Sequence, residues 1–297
     1  MRMIIINLCG GLGNQMFQYA YGKSLGLRLN KKIYFIADMY KNNYLHNGFE
    51  LLKVFNLNLH LVPSSKLSSI SNCLHAHPNI RRFLFRYPIL PLMPNNYIFE
   101  SCQNNTTRNI FDDNFDYYIH GYWQSENYFS YYRNLILEDF SFTDKLSSYN
   151  HRIKASILKT QSVSIHFRRG DYISNAKANS ILGICSVEYY LLAIRKMLRE
   201  FPDAVFYAFS DDPHWVESEF KSYYSNITIV NCNADSDSYI DMRLMSLCKH
   251  NIIANSTFSW WAAWLNRNPE KIIIAPLNWF ADKRDSSDLI PASWVRI

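Results

Sequence analysis

From residue 151 onward the chain alternates helical and strand-like runs, and that alternation limits the possible folds more than any other feature of the sequence. Helical patterns over 151–159, 187–200, 238–249 and 258–266 interleave with apolar runs at 162–167, 204–209, 227–230, 251–254 and 272–275. Strands separated by helices of this length pair in parallel, each helix serving as a crossover, so the spacing predicts a doubly wound α/β sheet. In such sheets ligands sit beyond the carboxyl ends of the strands. One crevice is therefore expected to collect Arg168, Asp171, Asp211, Asp212, Asn255, Ser256 and Thr257.

The first of these strands ends in an anion-binding composition. The stretch 162–172 reads S-V-S-I-H-F-R-R-G-D-Y and delivers His166, Arg168, Arg169 and Asp171 within six residues. Guanidiniums stay charged at physiological pH and present planar donor forks that match phosphate oxygens, best of all a diphosphate. If the strand continued through them, Arg168 and Arg169 would point to opposite sides, one toward a ligand and one toward Asp171. An interdomain ion-pair cluster is the other account of the same residues. Ser256 and Thr257 stand just before a helix, where hydroxyls and amides bind phosphate and where a serine also serves as an N-cap. Asp241 lies on a helix whose other face is Ile240, Leu244 and Leu247; its carboxylate can accept from N1 and N2 of a guanine, or be a surface aspartate. Asp211-Asp212 resembles a metal pair, yet no third acidic or histidine ligand recurs at a persuasive spacing.

The amino-terminal half begins with a similar unit. An apolar run at 3–8 reads as a buried strand, Gly10-Gly11-Leu12-Gly13 as a turn, and Phe17, Tyr21 and Leu25 as one face of a helix. Glycines there permit close backbone approach, and the amides at the helix start suit an anion. Asn14 and Gln15 at the helix mouth can cap it or reach a ligand, with capping the expectation for Asn14. Residues 30–150 are harder to divide, with polar loops at 42–47 and 103–109 and prolines at 88, 91 and 94. The segment H-G-Y-W-Q-S-E at 120–126 reads as a strand end turning into an aromatic, polar stretch that faces a sugar or packs.

Composition narrows the classes. With 297 residues and 48% hydrophobic content the chain can bury two cores of ordinary size. Its 21 tyrosines, 19 phenylalanines and 7 tryptophans supply core packing and platforms for apolar sugar faces. Six cysteines form no C-x-x-C pair and no metal-ligand pattern with histidine, and read as reduced, mostly buried thiols. The net charge of +6 includes no run dense enough for nucleic acid. A local cluster, Arg81, Arg82 and Arg86 among apolar residues, could rest on an anionic membrane face, although a solvated basic segment accounts for it as well. The short apolar start before Gly10 fits neither a signal peptide nor a membrane span, so a cytoplasmic chain is the expectation.

Five segments in order, G-G-L-G-N-Q-M-F-Q-Y-A at 10–20, G-Y-W-Q-S-E at 121–126, H-F-R-R-G-D-Y at 166–172, F-S-D-D at 209–212 and A-N-S-T-F-S-W-W at 254–261, resemble those of the bacterial α-1,2-fucosyltransferases of glycosyltransferase family 11. Phe167 departs from the aliphatic residue usual there and puts nothing important in doubt. The resemblance implies a GT-B fold: two facing Rossmann-like domains with the active site in the cleft between them, an acceptor-side domain over 1–150 and a donor-binding domain over 151–297. It further implies inverting transfer from GDP-β-L-fucose to the 2-hydroxyl of a galactose, with no essential metal and no cofactor. The acceptor would be an oligosaccharide of O-antigen type, lipid-linked at the inner face of the bacterial inner membrane, and contact with that membrane at most peripheral.

By motif, Arg168 resembles the arginine that stabilises the leaving phosphate, supported by Arg169 and His166, and Asp171 is its catalytic companion. Asp241 resembles the guanine reader, Ser256 and Thr257 the phosphate-side hydroxyls. Asn14, Gln15, Asp211 and Asn255 complete the donor set, and Tyr122, Trp123 and Glu126 are the acceptor candidates. Two alternatives stay open: a fucosyltransferase of another linkage, and a catalytically silent nucleotide-sugar-binding module.

Overall fold

A computed structural model describes residues 3–41, 47–63, 97–100, 116–143, 145–170, 173, 176–220, 224 and 226–297. The chain divides into two compact units, Met1–Ser141 and Phe142–Ile297, each with its own parallel sheet. Asp171, the basic cluster at 81, 82 and 86, the prolines at 88, 91 and 94 and the polar loop 103–109 lie outside the described residues.

In the first unit β1 (Ile4–Asn7), α1 (Leu12–Leu29), β2 (Ile33–Ile36), α2 (Leu51–Val54), β3 (Tyr97–Phe99), β4 (Tyr117–His120) and α3 (Arg133–Asp139) follow one another. The sheet order is β2-β1-β4-β3, every pair parallel. Ile4, Ile5 and Ile6 are buried, as a central strand of a covered parallel sheet requires. Helix α1 packs hard on this sheet: a Cβ at Gly22 would fall 2.6 Å from Ile6 Cδ1 and 2.9 Å from Phe35 Cζ. Only a residue without a side chain lets the two layers meet there. The N-cap of α1 is Gly11, with no side-chain cap bond, so the capping role expected of Asn14 is not what the fold uses.

The second unit contains α4 (Ser148–Lys159), β5 (Gln161–Phe167), α5 (Ala176–Leu182), α6 (Val187–Glu200), β6 (Ala204–Ser210), α7 (Pro213–Phe220), β7 (Ile227–Val230), α8 (Tyr239–Leu247), β8 (His250–Ile252), α9 (Thr257–Leu265), β9 (Ile273–Ala275) and β10 (Val295–Arg296). The six strands pair in the order β10-β9-β8-β5-β6-β7, all parallel. Counted by appearance this is 6-5-4-1-2-3, the winding of dinucleotide-binding sheets, and its direction reverses between β5 and β8.

Strand β5 carries two buried faces. Val163, Ile165 and Phe167 join Tyr190, Ile194, Val216 and Phe220 in the core on one side. Alternation puts Ser162, Ser164 and His166 on the other. There Ser162 Oγ accepts from the Lys249 N–H at 3.1 Å and Ser164 Oγ from Asn251 Nδ2 at 2.7 Å, which satisfies two buried hydroxyls. Helix α9 is apolar nearly all round, and Trp260, Trp261 and Trp264 are fully buried in this unit. Cys9, Cys185, Cys232 and Cys248 are free thiols, Cys9 and Cys248 buried and Cys232 exposed. Among the described residues no helix is long and apolar enough to cross a membrane.

Candidate functional site

In the second unit the reversal between β5 and β8 brings the arginine pair to the sheet's carboxyl edge. The strand ends at Phe167, so the alternation expected through Arg168 and Arg169 stops before them. Both instead meet the loop after β6. Arg168 Nη1 lies 3.1 Å from Asp211 Oδ2, and the Arg169 N–H donates to Asp211 Oδ1 at 2.9 Å. Arg169 Nε donates to Asp212 Oδ2 at 3.4 Å, and its guanidinium lies 3.7 Å above the Trp215 ring. Asp212 also accepts from the Trp215 N–H at 3.2 Å, which holds the start of α7. Gly170 follows where a Cβ would stand 3.0 Å from Asp211 Oδ2, so the backbone runs close against that carboxylate. These ion pairs are made within one unit.

His166 sits one strand step before the pair. It is 5% exposed, and its Nδ1 is buried with no hydrogen-bond partner among the described residues. Desolvation, reinforced by the charge of Arg168, pulls its pKa down to about 3, so the imidazole is neutral at physiological pH. Its ring lies 5.6 Å from that of Phe258 in the first turn of α9. That contact joins the end of β5 to the amino end of α9, where Ser256 Oγ accepts from the Phe258 N–H at 3.3 Å as the N-cap. Thr257 is the first residue of the helix. The positive end of the α9 dipole therefore lies beside His166, two residues before Arg168 in the chain.

Asn255, expected on the donor, is engaged in holding loops. Its Nδ2 donates to the carbonyls of Leu182 at 2.7 Å, Trp279 at 3.2 Å and Gly183 at 3.3 Å, and its Oδ1 accepts from Cys185 Sγ at 3.4 Å. It ties the segment before α6 and the turn after β9 to the carboxyl end of β8.

Asp241 is no surface aspartate: it is 9% exposed in the first turn of α8, and burial raises its carboxyl to about 7 against a partial offset from Asn233. Asn233 Nδ2 donates to Asp241 Oδ1 at 2.7 Å, and Asn233 is in turn paired with Asn150. Asn150 and Asn233 were not anticipated. They lie 83 residues apart in sequence, and a lone asparagine in a polar loop gives no signal of such a pairing.

In the first unit the structure corrects two expectations. Gln15 is wholly buried: its Nε2 donates to the carbonyls of Gly10 at 3.1 Å and Gly48 at 2.8 Å, and its Oε1 accepts from the Glu50 N–H at 3.0 Å. It knits the glycine turn to the 48–50 loop and presents nothing to a ligand. Trp123 is 1% exposed and stacks on Tyr21 at 4.2 Å, so it is core and not a sugar platform. Its neighbour Tyr122 is 47% exposed. Asn14 Oδ1 accepts from Gln124 Nε2 at 2.8 Å, and Glu126 lies 3.9 Å from Arg133. Glu100, unremarked in the sequence, anchors this loop: its Oε2 accepts from the Tyr122 N–H at 2.6 Å, and the amides of Trp123 and Gln124 also favour its carboxylate against the burial that raises its pKa. Trp123 follows with φ of 56°, a left-handed backbone that costs energy in a tryptophan and is held by these contacts.

Comparison with known proteins agrees with this architecture. An α-1,2-colitosyltransferase of Escherichia coli is 38% identical, the alignment covering 100% of this chain and 99% of that protein. The O-antigen biosynthesis glycosyltransferase WbnK of Escherichia coli is 34% identical, over 98% and 99%. Galactoside alpha-(1,2)-fucosyltransferase 2 of Rattus norvegicus is 24% identical, over 89% and 67%. The crystal structure of NodZ alpha-1,6-fucosyltransferase soaked with GDP-fucose superposes with a TM-score of 0.52 at 14% identity, over 89% of this chain and 93% of that one, which shows a shared fold of GT-B type. The sequence model of glycosyl transferase family 11 matches residues 2–297, and with full-length relatives at 38% and 34% identity the chain belongs to that family.

Proposed function

We propose that this protein transfers L-fucose from GDP-β-L-fucose to the 2-hydroxyl of a galactose, with inversion and without a metal ion. The observation that supports this best is the Arg168–Arg169 pair, set at the switch point of a 6-5-4-1-2-3 sheet and braced by Asp211 and Asp212. In the proposed reaction the bond from the fucose anomeric carbon to the diphosphate breaks, its electron pair leaving on the β-phosphate. The acceptor oxygen forms the new bond on the opposite face, and its proton passes to solvent water as the bond forms.

Charge grows on the departing diphosphate, so donors already aimed at it lower the barrier more than they tighten ground-state binding. Arg168 takes the leading role and Arg169 supports it. His166, neutral, donates its Nδ1–H to a phosphate oxygen and so gains the partner that no described residue provides. Ser256 and Thr257 with the first amides of α9 complete the phosphate cradle, and Asp241 accepts from the guanine edge. Asp211 and Asn255 act as positioning residues. Asn14 remains a candidate donor contact and Tyr122 and Glu126 candidate acceptor contacts of the first unit, and the acceptor is an O-antigen type oligosaccharide, lipid-linked in the cell.

A second donor is favoured by the 38% identity to a colitosyltransferase. Colitose is L-fucose without its 3-hydroxyl, so the phosphate and guanine contacts serve either sugar. The test is purified protein with GDP-β-L-fucose or GDP-L-colitose and a panel of β-galactosides, followed by methylation analysis of the product. Fucose at O2 of galactose is the expected result. Transfer from GDP-colitose alone would move the assignment to the second donor, and a product linked elsewhere would overturn the acceptor position.

A further inference from the structure

Asp241 is oriented by a chain of amides that reaches across the second unit. Asn150 lies in the first turn of α4, is 2% exposed, and has its backbone N–H capped by Ser147 Oγ at 3.2 Å. Its Nδ2 donates to Asn233 Oδ1 at 2.8 Å, and Asn233 Nδ2 donates back to Asn150 Oδ1 at 3.2 Å. Cys232 Sγ adds a further contact to the same Oδ1 at 3.3 Å. The reciprocal pair ties the orientation of the Asn233 carboxamide to that of Asn150, whose Oδ1 is marked as the acceptor by Cys232. One hydrogen of its NH₂ meets Asn150, and the other meets Asp241 Oδ1 at 2.7 Å.

An aspartate carboxyl rotates in a broad terminal torsion, so the side chain alone does not keep both oxygens in the plane of a bound base. A reversed Asn233 would set its carbonyl oxygen against the carboxylate, and Asn150 prevents that reversal. We infer that Asn233, held by Asn150, is a positioning residue that makes Asp241 discriminate guanine from purines lacking the 2-amino group. This rests on the proposal that Asp241 accepts the N1 and N2 hydrogens of guanine. A carboxylate held in plane meets both donors. One that swings meets N1 alone, and hypoxanthine, which has N1–H but no 2-amino group, then binds about as well as guanine.

The experiment measures calorimetric affinities of GDP and IDP for the full chain as wild type, Asp241→Asn, Asn233→Ala and Asn150→Ala, with thermal unfolding of each as the check on folding. Wild type should prefer GDP by about tenfold or more, the share of one hydrogen bond to a charged group. Asn233→Ala and Asn150→Ala should bring the two affinities to within about twofold, chiefly by weakening GDP. If Asn150→Ala does not fold, Asn233→Ala decides. If that variant also fails, Asn233→Ser, too short to span both partners, takes its place with the same expected loss. A folded Asn233 variant with the wild-type ratio overturns the inference, while loss of the ratio in Asp241→Asn leaves guanine recognition standing. Retention of the ratio in Asp241→Asn overturns guanine recognition by Asp241 and this inference with it.

Discussion

Arg168 Nη1 stands 3.1 Å from Asp211 Oδ2, and the same carboxylate holds the backbone N–H of Arg169 at 2.9 Å through its other oxygen. One side chain from the end of β6 thus orients two consecutive residues at the end of β5. Asp211→Asn should keep the backbone bond and lose the ion pair that orients the Arg168 guanidinium. Turnover should fall by about tenfold, the scale of one charge-assisted hydrogen bond, with the unfolding temperature little changed. Steady-state kinetics check this, and unchanged turnover would show that Asp211 does not position Arg168.

Arg168→Lys should fold normally and lose turnover by roughly 100-fold or more, because an ammonium does not reproduce the planar fork on a phosphate gaining charge. The Michaelis constant for the donor should move far less than turnover. A variant with a third of wild-type turnover would return Arg168 to a structural ion pair.

Activity should persist in EDTA at close to the rate with added magnesium or manganese if, as proposed, the guanidiniums supply the positive charge at the leaving group. Loss of more than about nine-tenths of activity on chelation, reversed by a divalent ion, would place the metal in the leaving-group role proposed for the arginines.

Asp241 links stability to pH and, under the proposed base contact, donor binding as well. Its carboxyl is raised to about 7 in the folded state and titrates near 3.8 when unfolded, so between those values the folded protein binds the extra proton. Stability conferred by that proton is fully present below pH 3.8 and is lost as pH rises through 7, a span of about 4 kcal/mol at most. Chemical denaturation from pH 4.5 to 8 should show Asp241→Asn lacking this loss, and so gaining on wild type as pH rises. If Asp241 accepts from guanine as proposed, GDP binding favours the carboxylate, so GDP should bind more tightly at pH 8 than at pH 6, with proton release seen as buffer-dependent heat. A flat affinity profile would remove Asp241 from the base contact.

Gln15→Ala should lower stability by about 2–4 kcal/mol, since it strips partners from two carbonyls and an amide in a dry site. Trp123→Ala should cost about 3–5 kcal/mol as a core truncation. Denaturant midpoints check both. Tyr122→Ala, at an exposed ring beside Trp123, should leave the midpoint near wild type and raise the Michaelis constant for the acceptor.

Local pattern was enough to reveal the second unit's alternation, because strand and helix periods are properties of neighbouring residues. The helix patterns at 187–200, 238–249 and 258–266 correspond to α6, α8 and α9, and Arg168, Ser256 and Thr257 were legible as residues that follow strands. Helices α5 and α7 and the two-residue edge strand β10 went unanticipated; α7 is short, and β10 exists only through its pairing with β9. Whether a polar side chain faces a ligand or is consumed inside the protein depends on partners remote in sequence. Gln15 and Asn14 are adjacent, yet Gly48 and Glu50 enclose the first while Gln124 meets the second. Tyr122 and Trp123 look alike as aromatics, and the left-handed turn at Trp123 sends one ring to solvent and the other onto Tyr21. The sequence by itself determined the chemical types present at the carboxyl edge and the order of the elements carrying them. Tertiary structure alone decided which of those groups are already engaged, because hydrogen bonds such as Asn150–Asn233 and Gln15–Gly48 close over chain separations of 83 and 33 residues that no local pattern records.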